Sequence, residues 1–310
     1  MTLTQLRYLV AVADCGFNIS RAAASLYTSQ PGISRQIRVL ENQMGTLLLV
    51  RDGGRIVGLT DNGVRAVAAA RRVLNEANSL TRMSEELMQQ TSGKLTIATL
   101  HTASLALLPK AVAVVRARYP EVMFEIRTTS PAAMLEMVQA GEVDLAIAFQ
   151  RPPESARLLR IPITTSPPAL LVAESHPLLS LDTLTLADLA RYPLICHESL
   201  SAATWGMLER FKSMGLTPQP ALYASDASTM QRCVGEGIGI TILPAILPTF
   251  PKVRKLDVSH LFESSEITAL LDPHRFHRSF VFDFIHALAP SWTATDIRAE
   301  MRRLFFSDAA

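Results

Sequence analysis

Residues 29–45, SQPGISRQIRVLENQMG, constrain the chain most, because both ends and one face of a helix are written into them. Ser29 supplies a cap oxygen, Pro31 falls in the first turn where its missing N–H costs little, and Gly45 provides the stop. Ile33, Ile37, Leu40 and Met44 recur at helical steps as an inward stripe, which leaves Gln30, Ser34, Arg35 and Arg38 on the outward side. Two shorter helices precede this one. Residues 2–14 carry Leu3, Leu6, Val10 and Ala13 as a buried face and end at Gly16. Ser20 then caps a short helix whose Ala22, Ala23 and Leu26 allow close helix contact, before a break at Tyr27-Thr28-Ser29. This order predicts a helix-turn-helix with the third helix in the DNA major groove, where glutamine pairs with adenine and arginine with guanine. A small helical bundle with a polar surface fits the same pattern.

A net charge of +2 over 310 residues does not mark a nucleic-acid binder, but its distribution is uneven. Residues 1–60 hold Arg7, Arg21, Arg35, Arg38, Arg51 and Arg55 against Asp14, Glu41 and Asp52, while the first lysine is Lys94. Arginine's rigid donor fork suits phosphate oxygens and guanine edges. Apolar residues at 48% against 19% charged argue for packed cores rather than disorder. The N-terminus lacks a basic stretch followed by a cleavage site and no apolar run is long enough to span a bilayer, so a cytoplasmic protein with no membrane partner is expected. Cys15, Cys196 and Cys233 are too few and too far apart for a disulfide framework or a CxxC metal site. No cofactor or metal is expected.

Beyond the third helix, Asp52-Gly53-Gly54-Arg55 reads as a two-glycine turn between apolar strands. Thr60 and Asp61 then cap a long helix running to Gln90, with a seven-residue ladder of Ala66, Val73, Leu80 and Leu87. Such a narrow seam predicts pairing with a second helix, and homodimerisation is its simplest form. After residue 91 strands and helices alternate. Strands are expected at 94–99, 123–127, 144–149, 169–173, 194–196, 221–223, 239–243 and 267–271, and helices near 105–118, 132–140, 203–214, 227–235 and 275–289. The fold class is therefore multi-domain α/β.

The stretch AAASLYTSQPGISRQIRVLENQMGTLLLVRDGGRIVGLTDNG resembles the DNA-binding domain of LysR-type transcription regulators. LLPKAVAVVRARYPEV and AGEVDLAIAF resemble the effector domain of the same family. The CysB-like branch is suggested by FNIS, by Thr99-Leu100-His101-Thr102 and by RSFVFDFIHALAP. The resemblance implies a winged helix-turn-helix over 1–60, a dimerising linker helix over 61–91, and a two-lobed periplasmic-binding-protein-like effector domain over 92–310. Lobe I would span 92–163 and 268–300, and lobe II 164–267. It also implies that Arg51 meets backbone phosphate and that the wing, with Arg55, lies over the minor groove. The expected DNA-binding set is Ser20, Ser29, Gln30, Pro31, Ser34, Arg35, Arg38, Arg51 and Arg55. The implied partners are double-stranded DNA with a pseudo-palindromic operator, a small-molecule effector, a second copy in a homodimer or homotetramer, and RNA polymerase.

By that resemblance the effector lies between the lobes, with Thr99, Leu100, His101, Thr102, Ser130, Phe149, Ser201 and Ala202 as its expected surroundings. Ser104, Thr129, His197 and Ser199 are further polar candidates. Sulfur-metabolism regulators have polar residues where this chain has Leu100, Ala103, Phe149 and Ala202, which predicts a cleft that excludes free sulfate and accepts a larger organic ligand. Each lost hydrogen bond removes roughly 0.5–3 kcal/mol. A catabolic regulator with a larger organic-acid effector, and a thiol-based redox sensor using Cys196 and Cys233, are the alternatives within the fold. No GxSxG, HExxH or phosphate-cradling glycine loop supports an enzyme.

Overall fold

The computed structural model describes residues 1–87, 92–149, 158–197 and 202–307. The winged domain contains α1 (Leu3–Asp14), α2 (Ile19–Ser25), α3 (Gln30–Met44), β1 (Leu49–Asp52) and β2 (Arg55–Leu59). Its core is closed by Leu6, Leu9, Val12, Ala22, Ile33, Ile37, Leu40 and Leu48. Gly53 and Gly54 both have positive φ, as a tight turn between twisted antiparallel strands requires.

Three local expectations are corrected here. The buried face of α1 is Gln5, Leu6, Leu9 and Val12, while Leu3 is 42% exposed, because docking against α3 and α4 turns the helix by about one position. The cap of α2 is Asn18, which accepts from Arg21 N at 3.0 Å, and Ser20 lies inside the first turn. Met44, the end of the α3 stripe, is exposed because it falls in the last turn, at the edge of the packed face.

The linker helix α4 (Asp61–Leu87) starts where the Thr60 hydroxyl accepts from Gly63 N. Val67 and Ala70 face the winged core, whereas Val73 and Leu80 of the ladder are exposed. The continuation of this helix to Gln90 lies outside the described residues.

The C-terminal domain opens with β3 (Gly93–Thr99), α5 (His101–Ala106), α6 (Leu108–Arg118), β4 (Val122–Thr128), α7 (Pro131–Ala140), β5 (Leu145–Ala148) and β6 (Leu159–Ser166). The single helix expected over 105–118 is two, separated at Leu107, with Pro109 starting the second. Next come β7 (Pro168–Ala173), α8 (Leu186–Leu189), β8 (Leu194–His197), α9 (Ala202–Lys212), β9 (Pro220–Ala224), α10 (Ala227–Gly235), β10 (Thr241–Pro244) and β11 (Val253–Asp257). The chain then returns through β12 (Ser265–Leu271) to α11 (Ser279–Leu288) and α12 (Ala294–Ser307). The strands β6 and β11 and the helix α12 had no clear sequence signal. Thr164-Thr165 and the charged Arg254-Lys255 obscure alternation in the two strands, and among its described side chains α12 buries Ile297 and Met301 in the lobe I core.

One sheet has the order β4-β3-β5-β12-β6, parallel in its first three strands and antiparallel where β12 enters. The second lobe holds β10-β7-β11 and the pair β8-β9, joined where Leu194 bridges Ile240. The two passages between lobes are the adjacent antiparallel strands β6 and β12, paired from Ser265 opposite Ser166 to Leu271 opposite Leu159. The lobe I sheet therefore runs to Ser166 and resumes at Ser265. Among the described residues no helix is long and apolar enough to cross a membrane.

Candidate DNA-reading face and effector cleft

On α3 the burial of Ile33, Ile37 and Leu40 fixes the rotation of the helix, so Gln30, Pro31, Arg35 and Arg38 are exposed and Ser34 is half-buried beside them. Ser29 caps the helix, accepting from Gly32 N at 3.3 Å. The turn before it passes through Tyr27, whose φ of +51° is left-handed and whose side chain is 98% exposed. Ser20 and Arg55 are also exposed.

Arg51, to which the resemblance gives a phosphate contact, is ion-paired within the chain. Its guanidinium holds Glu41 at 2.9 Å, and the same carboxylate accepts from Leu48 N at 2.9 Å and Leu49 N at 3.1 Å. Burial alone would raise the Glu41 carboxyl, but Arg51 and the two backbone donors outweigh it and hold the group below its ordinary range. Glu41 thus ties the end of α3 to the start of the wing. In the sequence Glu41 registers only among the acidic residues of this segment, although an acid placed shortly before an apolar strand and an arginine was the available signal.

The effector candidates divide by what already occupies them. Thr99 is fully buried, and its hydroxyl donates to Ile147 O at 3.1 Å, across the parallel strands β3 and β5. Phe149 and Ala103 belong to the lobe I core, and Leu100 packs against it. Thr102 is half-buried in the first turn of α5. Ser130 caps α7, accepting from Ala133 N at 3.3 Å. Ser201 lies outside the described residues, and Ala202 is the first residue of α9.

His101 reaches across to lobe II. Its Nε2 is 3.1 Å from Ser228 Oγ and 3.8 Å from Asp226 Oδ1, both at the start of α10. Leu105 and Ala106 of α5 pack against the lobe II core cluster that includes Ala169, Leu171 and Ala227. Asp226 caps α10, accepting from Thr229 N at 2.9 Å and from Thr229 Oγ1 at 2.8 Å. The Thr229 N–H, reinforced by the hydroxyl and by nearby His101, holds the Asp226 carboxyl below its ordinary range. Asp226 and Ser228 were missed because the sequence reading took its polar candidates from lobe I and the segment after β8. Their signal was the Asp-x-x-Thr cap before a periodic segment.

Cys196 is buried in the lobe II core, and burial pushes its thiol up to about 11. A reactive cysteine needs the opposite shift.

Two family models match the chain. Residues 3–64 match the family model of the bacterial regulatory helix-turn-helix protein, lysR family, and residues 88–292 match the LysR substrate binding domain. The chain is 35% identical over 294 residues to the HTH-type transcriptional regulator CysB of Burkholderia cenocepacia, covering 94% of each protein. The cofactor-binding domain of the Cbl transcriptional regulator superposes with a TM-score of 0.63 at 28% identity, over 68% of this chain and 94% of that one. Full-length CbnR complexed with its target DNA superposes at 0.67 and 24% identity, over 94% of this chain and all of that one, a likeness of fold. The chain belongs to the LysR family: it is a DNA-binding transcriptional regulator with an effector-binding domain.

Proposed function

We propose that α3 reads an operator through Gln30, Ser34, Arg35 and Arg38, that two copies pair along α4, and that a small organic molecule other than free sulfate binds between the lobes to control genes of sulfur metabolism. The observation that carries the DNA reading is the division of α3 into a buried apolar stripe and an exposed polar face. Arg51 contributes to phosphate through whatever charge Glu41 leaves, so Arg55 and Arg38 are the stronger free cations on this side. Ser29 caps α3, Pro31 lies in its first turn and Ser20 is exposed in the first turn of α2, and all three belong to the proposed DNA-contacting set.

Pairing along α4 is supported by the exposed Val73 and Leu80, the latter 69% accessible, at heptad spacing. Two chains so paired would present two recognition helices to a pseudo-palindromic site, in the cytoplasm where the operator is. Further pairing into a tetramer, and contact with RNA polymerase, follow only by analogy with the family.

The ligand reading rests on the lobe II side of the cleft. A helix start facing a cleft favours anions, but at α10 that position is taken by the chain's own Asp226. A second anion there meets like charge, and Leu100, Ala103 and Phe149 offer lobe I no compensating donors from their side chains. Likeness to CysB supports the metabolic assignment. A thermal-shift series on the full chain with sodium sulfate, sulfonates, thiol amino acids and aromatic acids tests the proposal, since a ligand that binds the folded form raises its melting temperature. An organic sulfur compound should act at micromolar concentration and sulfate should not. Micromolar sulfate binding would overturn it.

A further inference from the structure

Where α1, α4 and lobe I meet, one arginine holds two carboxylates from two domains. Arg71 on α4 is ion-paired both to Asp14, the last residue of α1, and to Glu142, just beyond α7. One helical turn further on, the Asn75 side-chain amide donates to the Ala140 carbonyl at the end of α7. Gly141 makes this approach feasible: its φ is +70°, and a Cβ there would collide with Asn75 and with the Arg275 guanidinium. The contact also leads to the recognition helix, because Gln5 on α1 donates to Gln36 on α3 at 3.1 Å.

This junction is built to separate more easily than the domains it joins. A concavity of about 560 Å³ opens beside it, and its wall is mostly polar, with Asp14, Asn78, Arg127 and Glu142 beside Val10 and Leu74. The charged groups facing Arg71 are Asp14 from α1, Glu142 after α7 and Arg127 from β4, and Arg127 is itself tied to Glu125. Arg71 and its partners are all partly solvent-accessible, and accessible ion pairs are individually weak. Each domain, by contrast, closes its own apolar core.

We propose that Asp14, Arg71 and Glu142 form a releasable latch that fixes lobe I against the winged domain of the same chain, and that its opening changes how the two recognition helices meet the operator. The latch has two states, joined and parted. Any ligand that favours one shifts the other's population by its difference in affinity. The operator half of this inference rests on the proposed function, whereas the latch itself does not.

Both halves are tested on the full chain with Arg71→Ala, Glu142→Gln and the double variant. Hydrogen exchange across residues 139–143 and 13–16 reads the latch without DNA. Each single variant should speed exchange there by up to about fivefold, the most that one accessible ion pair supplies, and the double should add little to the larger single effect, as residues sharing one interaction do. A duplex selected from a random pool on the wild-type chain then reads the operator. Circular-permutation gels should show a changed bend with half-site recognition retained. Glu142→Gln changes charge with little change of shape at an exposed position, so it carries the test if Arg71→Ala does not fold. Wild-type exchange in both segments for Glu142→Gln, or full additivity in the double variant, would overturn the latch. Altered exchange with an unaltered bend would overturn its link to the operator.

Discussion

The candidate DNA-reading face and the candidate effector cleft use their polar residues in opposite ways. On α3 the packing is done by Ile33, Ile37 and Leu40, and the candidate readers Gln30, Arg35 and Arg38 stand clear of it. In the cleft, most candidates are already engaged: Thr99 bonds Ile147 O, Ser130 caps α7, and His101 joins Ser228 and Asp226 across the lobes. Substitutions on the first surface should therefore alter binding and spare the fold, while those at the engaged cleft positions should cost stability as well. The reason is mechanical, since a recognition helix meets a partner outside the protein and a cleft residue lies between two lobes that must also hold together.

The largest departure from that contrast is expected at Glu41, which lies behind the reading face but is committed to structure. Glu41→Ala would strand two buried backbone donors at about 1–3 kcal/mol each, along with the Arg51 cation, and denaturant unfolding should show the winged domain losing most of its stability. Near-wild-type unfolding would mean that water replaces the carboxylate. The same group sets a pH dependence. Its folded pKa is depressed, so its contribution is complete above the ordinary carboxylate range and is lost as pH falls through the lower folded value. Acid titration should accordingly destabilise the wild type in that window, and Glu41→Gln should flatten the slope there.

Next in size is Leu80→Glu, which would set a carboxylate into the exposed stripe of α4 and should shift sedimentation toward monomers at micromolar concentration. An unchanged mass would place the pairing surface elsewhere. In the cleft, Thr99→Val removes a buried hydrogen bond and should cost about 0.5–1.5 kcal/mol of stability whether or not ligand is present. Thr102→Val is the smallest effect on folding, within roughly 0.5 kcal/mol as for positions outside the packed core, and should act on ligand affinity alone. Equal stability losses for the two threonines would erase the distinction drawn between them.

How much of this was legible depended on the range of the interactions. The caps at Ser29 and Gly45, the α3 stripe from Ile33 to Leu40 and the two-glycine wing are local patterns, and each was readable. The one-position rotation of α1 was not, because Leu3 and Leu6 fit a buried face as well as Leu6 and Leu9 until α3 and α4 are in place. In the cleft the limits were greater. Thr99 and Thr102 are near neighbours with the same side chain, yet strand pairing buries one and the start of α5 presents the other. The approach of His101 to Asp226 joins residues far apart in sequence, and nothing near either position signals it.

The claim that the exposed face of α3 reads DNA is tested most directly by selecting duplexes from a random pool on the full wild-type chain and on Arg35→Ala. The wild type should enrich a two-fold-related sequence with a fixed guanine in each half. The variant should fold normally, bind that sequence about 1–3 kcal/mol more weakly and lose the preference at that base alone. Enrichment of the same sequence with the same affinity by both proteins would contradict the assignment of α3 as the reading helix.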